Sequence, residues 1–93
     1  MEYTKDFHIE SLIDVMNFYH YMIYEKQLII HPDKPIEENE DKVHPERTIT
    51  ASMAEMYNRL LEESFEFCDK NKIDVYHIAY DVLYNYLMDN NKK

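Results

Sequence analysis

Carboxylates and imidazoles at helical spacing are the side chains in this sequence that most resemble a metal site. His77 and Asp81 lie four residues apart, with Asp74 one turn earlier, and Glu62 and Glu66 share that spacing. Side chains at i and i+4 on a helix can share a metal ion, and di-iron bundles use a Glu-x-x-His motif for this. That motif does not occur here, and the pairs fall on predicted polar faces. Solvated helix faces explain them better, so we expect neither a metal nor another cofactor.

Covalent catalysis finds little support among the candidate nucleophiles. Cys68, the single cysteine, falls on an apolar stripe near the end of a predicted helix, where the helix dipole raises a thiol pKa. The serines stand in no nucleophile motif. Because the chain has no glycine, it also lacks glycine-dependent phosphate loops, dinucleotide fingerprints and nucleophile elbows. We therefore expect a protein that is not an enzyme.

Size and charge limit the class of protein further. The 93 residues carry a net charge of -9 and fit one domain, residues 1–93. Negative charge opposes direct binding to nucleic acid or to an anionic membrane and favours basic partners. The N-terminus shows no signal-peptide pattern, and the longest uncharged run, Val15 to Tyr24, is about half of the roughly 20 residues that a membrane span needs. We expect a cytoplasmic protein, or one assembled into a particle made in the cytoplasm.

The spacing of apolar residues predicts a first helix over about residues 6–29. Two parallel lines of apolar side chains follow this segment and together form a face too wide for one neighbouring helix. The main stripe is Ile9, Leu12, Ile13, Met16, Tyr19 and Ile23, and the second line is Val15, Phe18 and Met22.

Residues 31–47 interrupt the helical pattern with all three prolines of the chain. We predict a long acidic loop, which is unusual in a compact domain and suggests a contact role or disorder. Residues 28–30 and 48–50, which flank it, can pair as a short two-stranded ribbon. His31 and His44 bracket the acidic run and would gain a raised pKa if they met its carboxylates, although unrelated surface histidines are the simpler interpretation. The acidic run is Glu37, Glu38, Glu40 and Asp41.

Two further helices are predicted over residues 52–70 and 75–88, which gives an all-α fold of about three helices. Ser52 suits a capping box at the start of the second helix, with Thr50 as a competing cap, and Asp74 suits the start of the third. The short link between them predicts an antiparallel hairpin. Asn71 is the expected left-handed residue after the second helix, and the polar tail, 89–93, should fray.

Nine Tyr and four Phe are many aromatic side chains for so small a core. Several tyrosines fall at the margins of the predicted apolar stripes, and tyrosine is enriched at protein interfaces. An ordinary core boundary with its hydroxyls in water is an equally weighted alternative. The candidate aromatic edge is Tyr21, Tyr24, Tyr76, Tyr80 and Tyr84.

These patterns favour a small protein–protein interaction protein, acting as a homo-oligomer or as an accessory subunit of a larger assembly such as a bacterial or phage particle. The alternative is an acidic DNA mimic that inhibits a basic nucleic-acid-binding protein. Its carboxylates would come from the acidic loop and from Glu62, Glu63 and Glu66 on the second helix. Direct DNA binding is not expected, because the third helix has no Lys or Arg.

Overall fold

A computed structural model describes residues 4, 6–36 and 49–91 and shows an all-α fold. The three helices are α1 (Leu12–His20), α2 (Ala51–Lys70) and α3 (Val75–Asn91). Helices α2 and α3 form a close hairpin, as predicted, and α1 packs against both of them. In the part of the chain that is described, every helix is too short or too polar to cross a membrane.

The first helix is shorter than the predicted range of residues 6–29. Ser11 has extended backbone angles, and its Oγ accepts a hydrogen bond from the Asp14 N–H at 3.2 Å, so the helix begins after this cap. Beyond His20 the chain widens into a π-helical turn, Tyr21–Glu25. Gln27 then adopts a positive φ of 55°, which ends the helical run. The apolar periodicity of the sequence continues past both ends of α1, but the α-helical backbone does not.

Only the second apolar line of α1 lies wholly in the core. Val15, Phe18 and Met22 are fully buried, whereas Ile13 of the predicted main stripe is 67% exposed. Leu12 and Met16 are exposed as well, so the main stripe keeps only Ile9, Tyr19 and Ile23 inside. The physical reason is that an apolar face wider than the available contact leaves one edge in water.

Helix α2 begins at Thr50 and not at Ser52. The Thr50 Oγ1 accepts a hydrogen bond from the Met53 N–H at 3.3 Å, and Thr50 has the extended backbone of an N-cap. The predicted capping box at Ser52 is therefore wrong. Ser52 lies inside the first turn, and its hydroxyl is 3.4 Å from that of Thr50.

A Schellman motif ends α2, and the left-handed residue is Lys72, one position after the predicted Asn71. The Ile73 N–H donates to the Cys68 carbonyl at 2.8 Å, and the Lys72 N–H donates to the Asp69 carbonyl at 3.2 Å. Asn71 keeps a negative φ and donates its Nδ2 to the Phe67 carbonyl at 2.8 Å. Asn71 thus serves as the C-cap and satisfies a terminal carbonyl with its side chain.

Helix α3 begins where predicted and ends later than predicted. The Asp74 Oδ1 accepts from the N–H groups of Tyr76 at 3.0 Å and His77 at 3.3 Å, which confirms the N-cap. The helix continues past residue 88 to Asn91. Its last turn is held by Tyr24, whose hydroxyl donates to the Asp89 Oδ2 at 3.0 Å. The final residues 92 and 93 of the predicted tail lie outside the described residues.

The start of the long loop packs against α2. The Lys34 N–H donates to the His31 carbonyl at 3.1 Å and closes a turn, in which Pro32 supplies a fixed φ. Ile36 is buried, and its N–H donates to the Asn58 Oδ1 at 2.6 Å. Among the described residues there is no strand, and Leu28 makes an isolated β-bridge. The predicted ribbon of 28–30 with 48–50 includes residue 48, which lies outside the described residues, so it stays a prediction.

Three buried tyrosines occupy the centre of the core. Tyr19 and Tyr57 are wholly inaccessible, and Tyr21 is nearly so. The hydroxyls of Tyr21 and Tyr57 lie 3.3 Å apart and share a hydrogen bond. The Tyr19 hydroxyl has no hydrogen-bond partner among the described residues. Burial, with smaller contributions from Cys68 and Tyr76, raises the pKa of Tyr19 far above its ordinary value.

Lys72→Gly should stabilise the protein by about 1 kcal/mol, because glycine has no Cβ to oppose a positive φ. The matched control is Lys70→Gly, at the last residue of α2, which should destabilise by about 0.5–1 kcal/mol through lost helix propensity. Urea unfolding of both variants measures the two effects. Destabilisation by both substitutions would contradict the left-handed assignment at Lys72.

Tyr19→Phe should leave stability unchanged or raise it by about 1 kcal/mol, since it removes a buried hydroxyl without a partner. Tyr21→Phe should cost about 1 kcal/mol, because it removes the buried hydrogen bond between the Tyr21 and Tyr57 hydroxyls. Because the pKa of Tyr19 is raised in the folded state, the free energy of unfolding should fall as pH rises above 10.0, the ordinary tyrosine value. Tyr19→Phe removes the titrating hydroxyl and should lessen that loss. Thermal unfolding between neutral and alkaline pH tests this. Equal losses of stability in Tyr19→Phe and Tyr21→Phe at alkaline pH would contradict the role of Tyr19.

Candidate functional site

The outer face of α3 carries a row of exposed aromatic and aliphatic side chains. Tyr80 is 70% exposed and Tyr84 is 63% exposed, although large apolar side chains usually lie inside. The opposite face of the same helix is packed against the core through Val75, Ala79 and Tyr86. We call the exposed row the α3 stripe, and it consists of Tyr76, Tyr80, Tyr84, Leu87 and Met88.

The α3 stripe is poor in charge for so acidic a protein. The whole of α3 contains two carboxylates, Asp81 and Asp89, and no Lys or Arg. The Asp81 Oδ2 lies 3.2 Å from the His77 Nε2 on the exposed side of the helix, and Asp89 accepts the hydrogen bond from Tyr24. An apolar surface with little charge is suited to contact with another apolar surface.

Two tyrosines of the predicted aromatic edge lie elsewhere. Tyr21 belongs to the core, where the Lys26 Nζ lies 5.5 Å from its ring centroid. Tyr24 is half-buried; its ring stacks on His20 at 4.1 Å and meets Tyr86 edge to face at 5.1 Å. Burial and the hydrogen bond to a carboxylate raise the pKa of Tyr24. Both residues hold the helices together and are not part of the α3 stripe.

The three glutamates predicted on α2 have different surroundings. Glu63 is half-buried and accepts hydrogen bonds from the Ile9 N–H at 2.9 Å and from Arg59 at 2.7 Å, with the His8 Nδ1 at 3.1 Å. Partial burial alone would raise the pKa of Glu63, but these hydrogen bonds outweigh it and hold the pKa below its ordinary value. Glu63 therefore fastens the segment before α1 to α2.

Glu62 and Glu66 are exposed and, together with Phe65, border a groove between α2 and the turn at residues 32–35. The groove has a volume of about 620 Å³. Its other lining residues are Pro32, Asp33, Lys34, Pro35, Asn58 and Leu61. The predicted acidic run, Glu37, Glu38, Glu40 and Asp41, lies outside the described residues, and so does His44. The approach of His31 and His44 to these carboxylates therefore stays a hypothesis.

The groove and the α3 stripe meet. The rings of Phe65 and Tyr76 lie edge to face with their centroids 6.4 Å apart. Pro32 and Asp33 line the groove and also a second cavity of about 270 Å³, which Tyr76 and Tyr80 border. The sequence interpretation missed this junction, because no periodicity relates residues 32 and 33 to α2 or α3.

Within residues 6–36 and 49–91, the candidate groups for bond-making chemistry are not brought together. Among the residues that the structure describes, no three His, Cys, Asp or Glu side chains converge on a position where they could share a metal ion. Cys68 is wholly buried; burial, assisted by the charge of Asp74, raises the pKa of its thiol. Ser64 is buried one turn before Cys68.

Comparisons with protein-family models, with curated proteins and with solved structures find no match. The function of this chain is therefore inferred from its own residues, above all from the α3 stripe.

Glu63→Gln should destabilise the protein by about 1–2 kcal/mol, because it weakens charge-assisted hydrogen bonds at a half-buried position. Glu62→Gln removes the same charge at an exposed neighbour and should change stability little. A lowered pKa in the folded state means that Glu63 stabilises the fold above its ordinary pKa of 4.5 and loses this effect as pH falls further. Urea unfolding at neutral and acidic pH checks both statements, and indistinguishable variants would refute the anchoring role.

Proposed function

We propose that this chain is a non-enzymatic protein–protein interaction protein that acts as a homo-oligomer or as an accessory subunit of a larger assembly, such as a bacterial or phage particle in the cytoplasm. The observation that supports this most is the exposure of Tyr80 and Tyr84 on a helix whose other face is already packed. Tyrosine contributes a large apolar surface and a hydroxyl that tolerates water, which suits an interface that forms after folding.

Self-association is the simplest use of the α3 stripe. From Tyr76 to Met88 the stripe extends about 18 Å along the helix, at 1.5 Å per residue. In a twofold dimer the same surface meets itself, so a surface dense in carboxylates would repel its copy. The stripe has few charges, whereas α2 carries four exposed carboxylates, those of Glu55, Glu62, Glu66 and Asp69. A second copy can therefore approach α3 at little electrostatic cost.

DNA mimicry is a second candidate, and a row of carboxylates on α2 favours it. Glu55, Glu62, Glu66 and Asp69 are all exposed and follow one another at spacings of seven, four and three residues. Such spacing places them on one face of the helix, where carboxylates can stand in for phosphates in a basic groove. Glu63 does not join this row, because it is bound to Arg59 and to the Ile9 N–H.

The Tyr80→Ser, Tyr84→Ser double variant should be monomeric at concentrations where the natural chain is a dimer or larger, because it removes the two most exposed rings of the α3 stripe. Light scattering after size-exclusion chromatography, over a concentration series, gives the masses. Circular dichroism checks that the variant remains helical.

Two control variants accompany this measurement. Asn85→Ser changes an exposed polar residue of the same helix and should leave the mass unchanged. The Glu62→Lys, Glu66→Lys double variant should also leave it unchanged under the assembly proposal, whereas under mimicry it would abolish binding to a basic target. A natural chain that stays monomeric at high concentration would exclude self-association through the α3 stripe.

A further inference from the structure

The groove between α2 and residues 32–35 has a fixed shape. Its wall contains two prolines, and the turn is closed by the hydrogen bond from the Lys34 N–H to the His31 carbonyl. The wall is tied to α2 through buried Ile36 and its bond to Asn58. A pre-formed groove loses little conformational entropy when a ligand enters it.

The charge of the groove selects a cation. Three carboxylates, Asp33, Glu62 and Glu66, line it together with one ammonium group, that of Lys34. Among the described residues none of the three carboxylates forms an ion pair. Glu62 and Glu66 stand one helical turn apart, so both can approach a single bound group.

The aromatic side of the groove distinguishes between cations. Phe65 is 37% exposed, and its ring is held in place by the edge-to-face contact with Tyr76. A guanidinium stacks on an aromatic ring and donates hydrogen bonds in its plane to two carboxylates, whereas an ammonium is a compact, strongly hydrated charge. We infer that the groove binds an arginine side chain presented by a basic partner protein.

The partner is a different protein and not a second copy of this chain. A second copy, with its net charge of -9, is poorly suited to a groove lined by three carboxylates, although it can meet the α3 stripe, where charges are few. The chain contains two arginines, and Arg59 already contacts Glu63. This inference goes beyond the α3 stripe, because it assigns a second contact surface and the chemistry of what binds there.

The test is a titration of the full chain, labelled with ¹⁵N, with the blocked tripeptide acetyl-Ala-Arg-Ala-amide. We expect saturable chemical-shift changes at the backbone amides of Asn58, Glu62 and Phe65. The lysine analogue should bind more weakly, and the citrulline analogue, which has the same shape and no charge, should give no saturable change. Equal responses to arginine and citrulline would overturn the proposal, as would the absence of any saturable change.

Matched variants separate a specific site from general attraction to an acidic protein. Glu62→Gln with Glu66→Gln should weaken binding of the arginine peptide about fivefold, as expected for two exposed ion pairs. Glu55→Gln with Asp69→Asn removes the same charge from the same helix outside the groove and should leave the affinity unchanged. Equal weakening of peptide binding by both double variants would contradict a specific site in the groove. The Tyr80→Ser, Tyr84→Ser variant should still bind, so this inference and self-association can fail independently.

Discussion

The burial of one edge of α1 against the α2–α3 hairpin is the contact on which the rest of the structure depends. Val15 and Phe18 of α1, continued by Met22 of the π-helical turn, provide this edge and are completely removed from water. Each such side chain contributes about 1.5–3 kcal/mol when buried, so together they outweigh any single hydrogen bond in the fold. The bonds from Ile9, Arg59 and His8 to Glu63 fix where the chain enters α1 and thereby which edge turns inward.

This arrangement leaves α3 with one packed face and one free face. The inner face meets α1, the π-helical turn and α2, while Tyr80 and Tyr84 point away from all three. Tyr24 reaches across to Asp89 and keeps the last turns of α3 helical, which lengthens the exposed row. The outer face is thus presented by a regular helix, which suits the contact surface that we propose.

Much of the hairpin can be predicted from sequence, because local rules decide it. The helical spacing of α2, the Asp74 cap and the short link need no knowledge of the remaining chain. The inward edge of α1 cannot be predicted in the same way, since both lines are apolar and tertiary contacts choose between them. Which tyrosines are exposed is likewise decided only in part by local periodicity. Tyr80 and Tyr84 sit on an exposed face by periodicity, but Tyr21 is buried by a partner 36 residues away, Tyr57.

The central claim is that the α3 stripe is an interface between copies of this chain, and a concentration-dependent chemical-shift map tests it most directly. ¹⁵N spectra of the natural chain, recorded from dilute to concentrated solution, report which amides change environment on association. The account predicts that the changes concentrate along α3 from Tyr76 to Met88. Changes confined to the exposed apolar residues Leu12, Ile13 and Met16 of α1, or no change at any concentration, would contradict it.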